Sequence, residues 1–209
     1  MKTSRGGQVR IIGGLLKRTP VTVVSDEASM RPTPDRVRET VFNWLGDQVA
    51  GARCLDLFAG SGALGLEAAS RGAKPVFFNE RNPRIVRELQ TRIDSLRAAN
   101  DPQVQALGHS LTLTRQDALA ALADHHRAGR QFDLVFLDPP FSQEWQSRLL
   151  SVLPGVLADS ALIYLERGQE VESLADPQAA TGSQFERLRY ARAGQVHYHL
   201  FRYQKNPDL

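Results

Sequence analysis

Apolar residues along this chain fall into two alternating kinds of run. Short continuous runs occupy Ala52–Leu57, Pro75–Phe78, Leu111–Thr114, Phe132–Leu137 and Ala161–Leu165. Runs of this length, rich in Val, Leu and Phe, are typical of strands buried on both faces. Between them lie segments with helical spacing. Ala63–Ser70 is small and helix-prone, and Pro83–Ala99 repeats apolar side chains at 85, 86, 89, 93 and 96. Ala118–Ala128 and Trp145–Leu157 follow, the last interrupted at Pro154. Strand–helix alternation predicts a parallel sheet with helices on both faces. Two further extended runs, Phe185–Ala191 and Val196–Tyr203, flank Gly194 and predict a hairpin that adds antiparallel pairing at one edge.

An opening helix precedes this core. Thr33 suits its N-cap, Pro34 its first position, and Asp35 the positive end of its dipole. Val37, Val41, Trp44 and Leu45 form the predicted apolar stripe, with Arg38 and Glu39 off it.

Composition narrows the class. The chain has 209 residues, 42% of them apolar, which suits one domain with at most a small appendage and excludes a disordered chain. The single cysteine, Cys54, excludes a disulfide framework, points to a reducing compartment and reads as a buried core residue. No apolar segment reaches membrane-spanning length, so a cytoplasmic protein with no membrane partner is expected.

The formal charge of +3 is unevenly spread. Residues 1–25 hold Lys2, Arg5, Arg10, Lys17 and Arg18 and no acid; the middle is acidic; residues 181–209 are basic again. This divides the chain into a basic arm over residues 1–30 and a domain over 31–209. A basic arm on an acidic body suits a polyanionic partner such as nucleic acid.

Two motifs carry candidate chemistry. Gly60, Gly62 and Gly65 match G-x-G-x-x-G after the first strand, with Glu80 following the second strand. Glycines let backbone approach a ligand, a helix N-terminus offers free N–H groups, and an acid placed like Glu80 grips ribose hydroxyls. Either a dinucleotide or another adenosine cofactor fits so far. Asp56 in the strand end, Phe58-Ala59 before Gly60, and the lack of a Tyr-x-x-x-Lys pair favour S-adenosylmethionine over a hydride carrier. Asp117-Ala118, after the third strand, is placed to meet an adenine amino group.

The second motif is Asp138-Pro139-Pro140-Phe141, directly after the fourth strand. Two prolines remove two N–H donors, leaving the Asp138 carboxylate and Pro139 carbonyl as acceptors for an exocyclic amine. Phe141 is placed to stack on the base, worth roughly 1–3 kcal/mol. His109, His125, His126, His197 and His199 lack zinc-ligand spacing; they read as solvated, and no metal is expected.

With these residues in view, the chain resembles the bacterial small-subunit ribosomal RNA guanine-N2 methyltransferases, a family of class I S-adenosylmethionine-dependent enzymes. The likeness also takes in Val9–Gly14, Arg31-Pro32-Thr33, Asp35–Thr40 and Ala193-Gly194-Gln195-Val196. It implies a Rossmann-like α/β fold, with a seven-stranded, mostly parallel sheet ending in the hairpin. It implies S-adenosylmethionine held by Thr33, Asp56, the Phe58-Ala59-Gly60-Ser61-Gly62 loop, Glu80, Asp117 and Ala118, with chemistry at Asp138, Pro139, Pro140 and Phe141. It implies that the substrate is guanine 966 of 16S rRNA, free or in a small-subunit assembly intermediate, acted on by a monomer. Arg5, Arg10, Lys17, Arg18, Arg31 and Arg38 are the expected phosphate contacts. Against the family pattern, Asp101–Ser110 looks like a loop extension. The alternatives are an adenine-N6 or protein-glutamine methylase, a catalytically silent RNA-binding assembly factor, and a dehydrogenase, the last disfavoured.

Overall fold

The computed structural model describes residues 7–23, 33–139, 144–172, 174 and 185–205. Its centre is a seven-stranded sheet built from β3 (Cys54–Asp56), β4 (Val76–Asn79), β5 (Leu111–Thr114), β6 (Phe132–Leu137), β7 (Leu157–Arg167), β8 (Phe185–Ala193) and β9 (Val196–Tyr203). The order is β5-β4-β3-β6-β7-β9-β8. All pairs are parallel except β7 with β9 and β8 with β9. The expected mostly parallel sheet with a terminal hairpin is therefore observed. The chain turns in opposite directions from β3, so β3 and β6 form the switch point, the usual place for a ligand.

Helices α1 (Asp35–Leu45), α2 (Ala63–Ser70), α3 (Pro83–Arg97), α4 (Pro102–His109), α5 (Ala118–Arg127) and α6 (Glu144–Val152) complete the domain. One apolar cluster joins α1, α2 and α3 to one sheet face, and the other joins Leu122, Leu149 and Leu153 to the opposite face. Buried side chains on both faces explain why the strands read as unbroken apolar runs. No helix among the described residues is long and apolar enough to cross a membrane.

Several expectations need correction. Asp101–Ser110 is not a loop. Asp101 caps α4 by accepting the Gln103 and Val104 amides, and Pro102 starts the helix. The helix after the fourth strand ends at Val152, and a 3-10 turn, Leu153–Val156, absorbs Pro154. The following strand is longer than expected, beginning at Leu157.

Thr33 does not cap α1: Pro34 is at the cap without a side-chain bond, and the Thr33 hydroxyl points to Glu166. Two histidines are not solvated. His125 packs edge-on against Phe77 and Phe132, and burial lowers its pKa. His199 is covered because β8, not β9, is the sheet edge; its Nε2 accepts the Val171 amide, and burial brings its pKa down to about 4. Cys54 is buried, as expected.

Residues 7–23 of the basic arm are docked on the domain. Strands β1 (Gln8–Arg10) and β2 (Pro20–Thr22) pair antiparallel. Val9, Ile11, Leu16, Val21 and Val23 are buried in the same cluster as α1 and α2. At roughly 1.5–3 kcal/mol per buried aliphatic side chain, that contact outweighs what a surface tail gains. Glu67, on α2, fastens it: Oε2 accepts the Ile12 amide at 2.6 Å and Oε1 accepts the Gly13 amide at 2.8 Å. Ser70 receives the Leu16 amide and donates to the Gly13 carbonyl.

Candidate active site

Four strands bring their carboxyl ends together beside the β3–α2 loop. The loop closes tightly, with the Gly62 amide donating to the Ala59 carbonyl at 2.7 Å. Gly62 has a φ of +77°, and a Cβ there would lie 2.6 Å from Leu89 Cδ1. At Gly65 a Cβ would lie 2.3 Å from the Phe78 ring, so this glycine lets α2 lie close on β4. The three motif glycines thus serve the loop and its packing.

The acids around the loop have dual duties. Asp56 is buried, and its Oδ2 accepts the Gly65 amide at 3.0 Å. Burial is the main reason its pKa is raised to about 7; the Gly65 bond opposes that rise and the Glu80 charge adds to it. Glu80 bridges two turns, accepting Gly60 N at 3.0 Å and Asn82 N at 2.7 Å. A carboxylate has about four lone-pair sites, so both oxygens can still receive ligand hydroxyls. Asp117 caps α5 by accepting the Leu119 amide and remains exposed at the end of β5. Ala118, like Phe58, is half-buried against the second apolar cluster. Ser61 is half-buried and lines a separate cavity of about 260 Å³ with Thr22, Leu89 and Arg92, away from the buried acids.

Asp138 is half-buried just past the end of β6, followed by buried Pro139. Pro140 and Phe141 lie outside the described residues, as do Arg5 and Arg31. Leu137 pairs with Leu165, which puts Glu166 of β7 in the row beside Asp138. Glu166 Oε1 accepts the Thr33 hydroxyl at 2.7 Å and the Tyr164 hydroxyl at 2.6 Å. Burial raises the Glu166 carboxyl, and these two donors oppose that rise. At Asp138 burial first, and next the charges of Glu166 and Asp56, push the carboxyl well above the usual range. Three acids on adjacent strands accumulate one sign of charge. Such an arrangement suits a cationic ligand and a carboxyl ready to accept a proton.

Sequence reasoning missed Glu166 and Tyr164, which lie in an apolar strand, and Asn79. Asn79 is buried, donating to the Leu57 and Gln116 carbonyls and accepting from Thr114, so it ties the ends of β3, β4 and β5 together. Its place at the end of a predicted strand beside Glu80 was the available signal. Arg38 is a correction in the other direction. It is 0% exposed. Its Nη2 donates to the Arg10 carbonyl and to Asp35, and Nη1 lies 3.7 Å from Glu67. A guanidinium so enclosed fastens the arm and does not reach a phosphate. Arg10, Lys17 and Arg18 remain exposed.

A family model described as Conserved hypothetical protein 95 matches residues 9–202. Ribosomal RNA small subunit methyltransferase D of Escherichia coli (strain K12) is 40% identical over 200 residues, covering 95% of this chain and 91% of that protein. The protein of the same name from Haemophilus influenzae is 36% identical over 197 residues, 93% of this chain and 94% of the relative. Among solved structures, "Putative methyltransferase yhhF from Escherichia coli" superposes with a TM-score of 0.75 at 36% identity, covering 96% of this chain and all of that one.

Proposed function

The chain belongs to the Conserved hypothetical protein 95 family and is a methyltransferase; we propose that it transfers a methyl group from S-adenosylmethionine to the exocyclic N2 amine of guanine 966 in 16S rRNA. The observation that carries this reading is the alignment of Asp56, Asp138 and Glu166 beside a glycine loop at the switch point. Relatives named as small-subunit ribosomal RNA methyltransferases support the substrate class.

The residues fit the cofactor. S-adenosylmethionine carries a sulfonium and an ammonium, and the site presents clustered acids to that pair of cations. The Phe58–Gly62 loop would hold the methionine end, covered by the segment carrying Thr33. Glu80 would take the ribose hydroxyls, and Asp117 with Ala118 the adenine. When bound, this cofactor supplies an electrophilic methyl group.

What remains for the chain is positioning and proton removal. The Asp138 carboxylate and Pro139 carbonyl accept the two N–H bonds of the guanine amine and aim its nitrogen. A guanine amine is weakly nucleophilic because its lone pair is delocalised into the ring, so acceptance of both hydrogens strengthens it. Asp138 takes the surplus proton. Its raised affinity for a proton, maintained by Glu166, suits that step. Phe141 stacks on the extruded base, offsetting part of the few kcal/mol that unstacking costs. Arg10, Lys17 and Arg18 face the RNA from the docked arm, with Arg5 and Arg31 as further phosphate contacts. The chain acts as a cytoplasmic monomer without a metal.

The test is methyl transfer from labelled S-adenosylmethionine to 16S rRNA, naked and in small-subunit particles, with the modified nucleotide mapped. Label on N2 of guanine 966 is expected. Label on an adenine, or on protein alone, would replace this reading with another amine methylase.

A further inference from the structure

The tip of the β8–β9 hairpin reaches the same end of the sheet as Asp138, and nothing above gives it a role. Arg167, the last residue of β7, pairs with His197, so Gly194 and Gln195 project past the carboxyl end of β7. At about 3.3 Å per residue and about 4.8 Å between strands, the tip stands on the rim of the site. The hairpin is strongly basic: residues 185–205 contain Arg187, Arg189, Arg192, Arg202 and Lys205 against one acid, Glu186.

These arginines are not equivalent. Arg187 is neutralised by Glu170 at 2.8 Å. Arg189 and Arg192 are exposed, and the hydrogen bonds they make among the described residues go to carbonyls: Leu188 for Arg189 and Gly194 for Arg192. The tip is also stiff. Tyr190 hydrogen-bonds His197 across the strands at 2.8 Å and stacks on His197 and His199. Charges on a stiff support lose little freedom on binding a polyanion.

We propose that the β8–β9 hairpin, through Arg192 beside its tip and Arg189 further along β8, is a second rRNA-contact surface that grips phosphates flanking the guanine held at Asp138, on the rim of the site. This rests on the rRNA substrate proposed above. The competing role for charges on an open edge strand is to block strand-to-strand association.

The experiment compares the wild type, R189Q/R192Q, R187Q, and a control, K74A/R127A, which removes two exposed charges at the other end of the sheet. The probe is a 16S rRNA fragment containing guanine 966, naked or in a small-subunit particle. Dissociation constants are measured across a salt series, with S-adenosylmethionine affinity and oligomeric state alongside. For R189Q/R192Q, RNA affinity at least tenfold weaker is expected. The log–log salt slope should shrink by about 1.4, at about 0.7 per phosphate contact on a single strand. Cofactor affinity should stay at the wild-type level, and R187Q and the control should keep most of the RNA affinity. Wild-type RNA affinity and slope in R189Q/R192Q overturn the proposal, and self-association of that variant would assign the arginines to guarding the edge. Failure of the wild type to methylate guanine 966 overturns the substrate reading itself, and this surface with it.

Discussion

Glu67 is wholly buried and Asp138 half-buried, and the surroundings of the two acids are opposite in sign. Around Glu67 the chain gathers positive partners: two backbone amides, the Arg71 guanidinium at 2.7 Å and the Arg38 guanidinium at 3.7 Å. Around Asp138 burial first makes ionisation costly, and the nearby Glu166 and Asp56 add to that cost. The first cluster neutralises itself and fastens the N-terminal arm to α2. The second leaves a surplus of one sign, which adds nothing to stability and suits a cation and a proton. Buried charge gathered with opposite charge builds architecture; charge set among like charges is where the chemistry is proposed.

Four expected outcomes bear on that contrast. The largest concerns activity: Asp138→Ala should slow methyl transfer to rRNA by about 10²–10⁴-fold in single-turnover assays, the usual worth of a positioned proton acceptor, while the far-ultraviolet circular dichroism stays native. Next is stability. Glu67→Ala takes the acceptor from the Ile12 and Gly13 amides and leaves buried Arg38 with Asp35 as its counter-charge, and should cost about 3–5 kcal/mol in urea unfolding; a cost below about 1 kcal/mol would mean that the arm is held by its apolar contacts alone.

A smaller effect has the opposite sign. The folded-state pKa of Asp138 is raised, so the stability this group contributes is present below its unfolded pKa and lost as pH rises through the folded value. Asp138→Asn cannot ionise and should therefore melt above the wild type at pH 8, by about 2–4 °C per kcal/mol relieved, with the gap closing towards acid pH. Finally, Glu166→Gln should change the pH dependence of the reaction more than its maximal rate.

Much of this was legible in the chain, for reasons that also explain what was not. The loop glycines, Asp56, Glu80, Asp117 and Asp138 each lie at a strand's carboxyl end or in the loop that leaves it, so local order places them at one sheet end. Thr33 and Glu166 are 133 positions apart, and Glu67 and Ile12 are 55 apart; no local period records such contacts. Arg38 sat between apolar stripe positions of α1 and looked solvent-facing, because its buried partners come from β1 and α2. Helix α4 packs only Val104, Leu107 and Gly108 against the core, too short an apolar stripe to read. His199 read as solvated because sequence order does not reveal that β9 lies between β7 and β8.

The most direct test of the contrast is the pH–rate profile of methyl transfer for the wild type and Glu166→Gln, measured at saturating S-adenosylmethionine and rRNA. In the wild type the rate should rise with pH as Asp138 ionises, above the range of an ordinary carboxylate. Removing the Glu166 charge should let Asp138 ionise more readily and move that rise to lower pH. A rise that stays where the wild type has it would contradict the account, because Glu166 would then be no part of what sets the proton affinity of Asp138.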